Sequence, residues 1–310
     1  MCELVLEGLY RRSLLGLAGA EPVERFLRRR GMQLGVGRFV AGATLEEALP
    51  RARELEASGL QVILDLLGEF VDDPDGARAA TEGIVAGLGP LGRELRSPAM
   101  SVKPTQLGLG IGFATALENA RAIARCAEEA GAHVCLDMEN HPYVDGTLKL
   151  YRTLHEEGFR NVSTVLQSYL RRSEDDLEAL LELDPKPTLR IVKGAYREPA
   201  GVAFQEKAKV DSQYRKLLYR LLEAGGTANI ATHDERIVRD AEAYLKGSGS
   251  DRYEYQLLYG VKPGLQRALR DRGHPVRVYM PFGHDWYGYF SRRLAERPAN
   301  LMFVLKGLIG

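Results

Sequence analysis

Eight short β-branched or apolar runs recur along this chain, at Gln61–Leu67, Ala99–Lys103, His133–Leu136, Ser163–Leu166, Leu189–Val192, Ala228–Ala231, Tyr253–Leu257 and Val276–Met280. Amphipathic segments rich in alanine and leucine, such as Asn119–Ala130 and Glu174–Leu183, separate them. The intervals run from about 20 to 40 residues, the length of a helical crossover between parallel strands. Eight such units in about 250 residues, with no polar edge strand, predict an α/β fold of the closed (β/α)8 barrel type. A doubly wound open sheet is the competitor, because no sequence-level repeat is visible and the eightfold order rests on pattern alone. Ahead of the barrel, Leu4–Leu15 and Val23–Arg30 carry helical spacing, and Thr44-Leu-Glu-Glu47 reads as a helix start. The expected division is an N-terminal helical segment over 1–45 and a barrel over 46–310.

Composition narrows the class of function. At 310 residues, 45% hydrophobic and 27% charged, the chain has material for a large core. Lys+Arg and Asp+Glu both total 42, so no global field favours nucleic acid or an anionic membrane. Cys2, Cys126 and Cys135 match no zinc or redox spacing and read as reduced thiols of a cytoplasmic protein. Arg11 and Arg12 before an apolar stretch outline a signal peptide, but two glycines break it and Glu3 and Glu7 oppose it. Nowhere do 18 consecutive apolar residues occur.

What ends each run is more informative. Asp65 and Glu69 follow the first, Lys103 the second, Asp137 and Glu139 the third, and Gln167 the fourth. Lys193 and Tyr196 close the fifth, Thr232-His233-Asp234 the sixth, Gln256 and Tyr259 the seventh, and Tyr279 the eighth. A barrel gathers these C-terminal strand ends at one mouth, where active sites sit. Polar or ionisable groups at all eight predict an enzyme.

Single motifs leave several chemistries open. Gly87-Leu-Gly89-Pro-Leu-Gly92 has the letter pattern of a dinucleotide fingerprint, but lacks the preceding strand and following helix, and reads as a loop. Asp137, Glu139 and His233 offer metal-ligand chemistry, yet no second histidine lies near them, and the expectation is no metal. Lys103 and Lys193 stand where Schiff-base lysines stand, and equally where anion clamps would. Tyr289, Arg292 and Arg293 share a helix face at i,i+3 and i,i+4 spacing, suited to capture of a carboxylate or phosphate; a solvated helix end is the alternative.

Taken in order, the run ends resemble the proline dehydrogenase family, and closely its monofunctional bacterial form, over essentially the whole chain. The matching stretches are Ser101-Val-Lys-Pro-Thr-Gln106, Cys135-Leu-Asp-Met-Glu139, Val165-Leu-Gln-Ser-Tyr-Leu170, Arg190-Ile-Val-Lys-Gly-Ala-Tyr196, Ala231-Thr-His233 and Tyr255-Gln-Leu-Leu-Tyr-Gly260. Val278-Tyr-Met-Pro281 and Tyr289-Phe-Ser-Arg-Arg-Leu-Ala-Glu296 complete the set.

The resemblance implies a distorted TIM barrel that holds FAD and oxidises L-proline to Δ1-pyrroline-5-carboxylate. A hydride passes to flavin N5 and electrons then to a membrane quinone, as the first step of proline catabolism to glutamate. It implies that Lys103, Arg292 and Arg293 bind the proline carboxylate, with Asp137 beside the substrate ammonium and Lys103. Tyr196, Tyr279, Tyr289 and Leu258 would wall the pyrrolidine ring. Asp137 and Tyr196 are the catalytic candidates; Asp137, a tyrosine and water all stay open as proton acceptor. Met138, Gln167, Arg190, Lys193, Gly194, Ala195, Thr232 and His233 would contact FAD, with Glu296 a weaker candidate.

Tyr279 stands where relatives that prefer hydroxyproline carry a smaller residue, which implies proline itself. Arg197 departs from the tryptophan of the larger fusion enzymes, so the adenine environment would differ. A separate pyrroline-5-carboxylate dehydrogenase is the partner expected downstream. Leu301–Ile309 and the N-terminal arginines are candidates for peripheral contact with the inner face of the membrane, packed terminal helices being the alternative.

Overall fold

A computed structural model describes residues 36–290. Eight strands form a closed barrel in sequence order, every neighbouring pair parallel. They are β1 (Gln61–Leu66), β2 (Ala99–Val102), β3 (His133–Leu136), β4 (Val162–Gln167), β5 (Thr188–Val192), β6 (Thr227–Ala231), β7 (Tyr253–Leu258) and β8 (Val276–Phe282). Each coincides with an expected run to within two residues at either end. The helices are α1 (Leu45–Ala57), α2 (Pro74–Glu94), α3 (Phe113–Glu129), α4 (Val144–Glu156), α5 (Ser173–Leu181), α6 (Lys207–Glu223), α7 (Glu235–Ser248) and α8 (Pro263–Asp271). The open-sheet alternative falls on the closing pair, where β8 runs beside β1 with Ile63 opposite Tyr279 and Asp65 opposite Pro281.

The strands read as continuous apolar runs because both faces are covered, by the helix ring outside and by packed side chains inside. Val62, Leu64, Met100, Val134, Ile191, Ile230 and Val278 are all buried. α1 begins at the expected residue, although Glu47 accepts from the Ala43 N–H at 2.8 Å rather than from Thr44.

The glycine-rich stretch 87–92 is not a loop: it lies inside α2, with Pro90 in the helix. The reason is packing, since a Cβ on Gly92 would come within 2.4 Å of the Ala130 carbonyl oxygen at the end of α3. The glycine lets two backbones approach, and no phosphate site is formed.

A second, smaller core sits on the barrel rim. Val36, Phe39 and Val40 pack with Leu67 and with Trp286, Tyr287, Tyr289 and Phe290 of the helical residues 286–290. Backbone bonds from Ala41 N–H to Pro281 O (2.7 Å) and Gly283 N–H to Gly42 O (3.0 Å) tie that rim to β8. The helical stretches expected before residue 36, together with Arg292, Arg293, Glu296 and Leu301–Ile309, lie outside the described residues.

Candidate active site

The C-terminal strand ends surround a cavity of about 610 Å³. Every expected site residue in the described part of the chain lines it: Lys103, Asp137, Met138, Gln167, Arg190, Lys193, Gly194, Ala195, Tyr196, Thr232, His233, Leu258, Tyr279 and Tyr289. Tyr289 reaches it from the rim helix, and is itself buried.

Two ion pairs organise the floor. Lys103 Nζ donates to Asp65 Oδ1 at 2.7 Å, with both side chains buried. Asp137 Oδ1 accepts from Arg190 Nη1 at 2.5 Å and from the Ser101 hydroxyl at 2.6 Å, while its Oδ2 accepts from the Tyr279 hydroxyl at 2.7 Å. Lys103 therefore has Asp65 as its direct partner, and Asp137 belongs first to Arg190; the expected Asp137–Lys103 neighbourhood acts only as a field across the floor. Arg190 also donates through Nε to Gln256 Oε1 at 2.5 Å, and its guanidinium carbon stands 5.3 Å from the Tyr279 ring centroid. Its Nη2 is buried without a hydrogen-bond partner.

Burial decides the protonation states. It pushes the Tyr279 hydroxyl well above its ordinary value, and the neighbouring Asp137 and Asp65 push the same way, so Tyr279 stays a donor. Burial alone would lower the Lys103 ammonium, but Asp65, Asp137 and Glu69 outweigh it and raise it. A raised, ion-paired lysine is the opposite of what a Schiff-base nucleophile needs.

The wall beside the floor is stitched from loops. His233 Nε2 accepts the Leu258 N–H at 3.1 Å, so its ring proton sits on Nδ1 and the ends of β6 and β7 are joined. Lys193 bridges Asp211 (2.6 Å) and Asp234 (2.7 Å), and Asp234 also caps α7 by accepting from the Arg236 N–H. Burial opposes ionisation of Asp234, but Lys193 and Lys207 hold it well below the usual carboxylate range. Gln167 Nε2 donates to the Glu139 carbonyl at 2.9 Å. Gly194 has φ +115°, and a Cβ there would strike the Tyr169 ring at 2.2 Å. Its backbone can thus turn against Tyr169 and lead Ala195 and Tyr196 to the cavity.

The three residues considered as metal ligands are committed elsewhere: Asp137 to Arg190, Glu139 to the Thr105 N–H and hydroxyl, and His233 to Leu258. Glu139 also lines the cavity, as do Asp65 and Gln256, which the sequence marks only as strand-end groups. For Asp65 a stronger signal was present, since an aspartate inside a strand buried on both faces needs a partner.

Comparison with known proteins follows the same lines. A family model described as proline dehydrogenase matches residues 48–306. The chain is 43% identical to the proline dehydrogenase of Deinococcus radiodurans over 311 residues, covering 98% of this chain and 99% of that protein. It is 38% identical to proline dehydrogenase 2 of Bacillus subtilis strain 168, covering 92% and 94% respectively. Among solved structures, proline utilization A from Bdellovibrio bacteriovorus, inactivated by N-propargylglycine, superposes with a TM-score of 0.81 at 23% identity. That match covers 93% of this chain and 36% of the longer one, and speaks for the barrel fold.

Proposed function

The chain belongs to the proline dehydrogenase family, and from that premise we propose that it oxidises L-proline to Δ1-pyrroline-5-carboxylate with FAD and passes electrons to a quinone. The observation that carries this reading is the convergence of a buried cation, a buried carboxylate and a set of tyrosines on one cavity. Proline presents one carboxylate, one ammonium and an apolar ring, and the cavity offers a counterpart to each.

The residues present fit a flavin. The unpartnered Nη2 of Arg190 is a buried donor, and a flavin ring edge is rich in acceptors. Met138, Gln167, Arg190, Lys193, Gly194, Ala195, Thr232 and His233 would hold FAD along the β3 to β6 side of the mouth. FAD supplies there the two-electron oxidising power that the side chains lack.

The rest falls to the chain. Lys103, with Arg292 and Arg293, matches the substrate carboxylate, and the fixed position of Lys103 sets the ring's orientation. Tyr196, Tyr279, Tyr289 and Leu258 exclude water from the ring carbon that loses hydride. Asp137, held by three donors, has its carboxyl group fixed in orientation where the amine arrives. The Tyr279 hydroxyl, pinned to Asp137, narrows the space beside the ring and favours proline over a 4-hydroxylated analogue.

The product is a cyclic imine, which a separate pyrroline-5-carboxylate dehydrogenase would consume. We place the enzyme in the cytoplasm, with quinone reached at the inner face of the membrane. Among the described residues no helix is long and apolar enough to cross a membrane.

The test is the anaerobic visible spectrum before and after L-proline. Flavin absorbance that bleaches with proline, and hardly with trans-4-hydroxyproline, is the expected result. A flavin unmoved by proline removes the substrate, and a colourless protein that does not take up FAD removes the cofactor.

A further inference from the structure

We propose that Asp65 is a positioning residue of this site: its carboxylate fixes Lys103 in place and keeps it a cation, so that the anchor for the substrate carboxylate exists before substrate arrives. The inference rests on the reading above that Lys103 meets that carboxylate.

Asp65 lies within β1, in register with Ser101 of β2, and its side chain is 1% exposed. Lys103 stands two residues beyond Ser101, on the same face of the extended chain. The short buried bond between them uses only Oδ1; Asp65 Oδ2 is buried without a hydrogen-bond partner. A carboxylate placed inside a doubly covered strand is costly unless paired. Here burial favours the neutral acid, and the ammonium at the edge of the reacting cavity, its ion-pair partner, opposes this together with the Tyr279 hydroxyl, while one oxygen is left over.

Other groups also bear on Lys103. Glu69, beyond β1, and Asp137, beyond β3, both favour its charge. Glu139 interacts with it from beyond β3, the Tyr279 hydroxyl on β8 faces Asp65 and Asp137, and Arg190 on β5 takes up much of Asp137. With Asp137 drawn to Arg190, Asp65 is the counter-ion in contact. Without it, burial would pull Lys103 toward the neutral amine, and the carboxylate anchor would fade as pH rises.

The test is calorimetric binding of tetrahydrofuran-2-carboxylate to the holoenzyme between about pH 7 and about pH 10. This isostere keeps the carboxylate but has no titrating amine. In the unaltered enzyme affinity should hold nearly level until the raised Lys103 titrates. In Asp65→Asn the decline should begin at least about one pH unit lower and steepen to about tenfold per unit. Asp65→Ala should behave likewise and regain the original profile when formate is supplied, which keeps the comparison available if the asparagine variant does not fold.

Lys103→Met separates the two claims. If it binds as tightly as the original, Lys103 is not the anchor and the reading beneath the proposal fails. If it binds weakly while Asp65→Asn keeps the original profile, Lys103 is the anchor and Asp65 is not what keeps it charged.

Discussion

At the scale of single residues, the floor of the cavity is governed by how burial and pairing divide the charges. Glu139 is the sharpest case. Its carboxyl is fully buried and accepts from the Thr105 N–H (2.9 Å) and hydroxyl (2.7 Å). Burial pushes it from an ordinary 4.5 up to about 7, the two Thr105 bonds opposing. The folded protein therefore binds this proton more tightly than the unfolded chain. The stabilisation is full below the unfolded value and is lost as pH rises through about 7. Relative to Glu139→Gln, the unfolding free energy should fall by about 3 kcal/mol between about pH 4.5 and about pH 8. Urea unfolding across that range checks it, and parallel curves for the two proteins would show that Glu139 titrates normally. The residue types of this floor were legible in the chain, because polar groups after apolar runs stand out. Their pairings were not: Lys103 to Asp65 and Asp137 to Arg190 join residues 38 and 53 positions apart.

At the scale of elements, the loops after the strands place the cavity wall, and their backbone conformation matters as much as their side chains. Lys193, Ala195 and Tyr196 all hang on the turn at Gly194. Gly194→Ala would meet both an unfavourable positive φ and the Tyr169 ring. It should cost about 1–3 kcal/mol and displace the loop. Flavin content should fall along with Tm, whereas full flavin retention at a lowered Tm would mean the loop does not touch the cofactor. The strands themselves were read within two residues because their period and length are local properties. The helical course of residues 87–92 was not, since glycine and proline signal a break locally, and only the close approach of the end of α3 explains Gly92 in a helix.

For the whole molecule, the two ends of the barrel divide the labour, with chemistry at the mouth and closure at the base. Arg277 of β8 binds Glu254 (2.9 Å), the Val62 and Ser97 carbonyls, Gln61 and the Ser97 hydroxyl, so that one side chain spans the β7–β8–β1 seam. Arg277→Met should destabilise by about 1–3 kcal/mol, because it leaves the half-buried Glu254 carboxylate without its arginine. Adding Glu254→Gln should recover part of that loss, and guanidinium unfolding of the single and double variants measures the coupling. Strictly additive effects would show that the pair does not act as a unit. The base is also joined to the mouth, since Gln256 contacts Glu254 on one side and Arg190 on the other.

The amino-acid sequence by itself determined the number, order and ends of the strands, and with them which residues could reach a common mouth. These follow from hydrophobic period, crossover length and the polarity of each strand end, all of which act over a few residues. Only the tertiary structure decided which charge meets which. Closure of β8 on β1 brings Tyr279 to Asp137 across 142 positions, and the register of β1 on β2 seats Lys103 on Asp65. Strand register and burial make those choices: a buried charge is stable only against the partner that the closed barrel places within hydrogen-bond reach, and no local pattern names that partner.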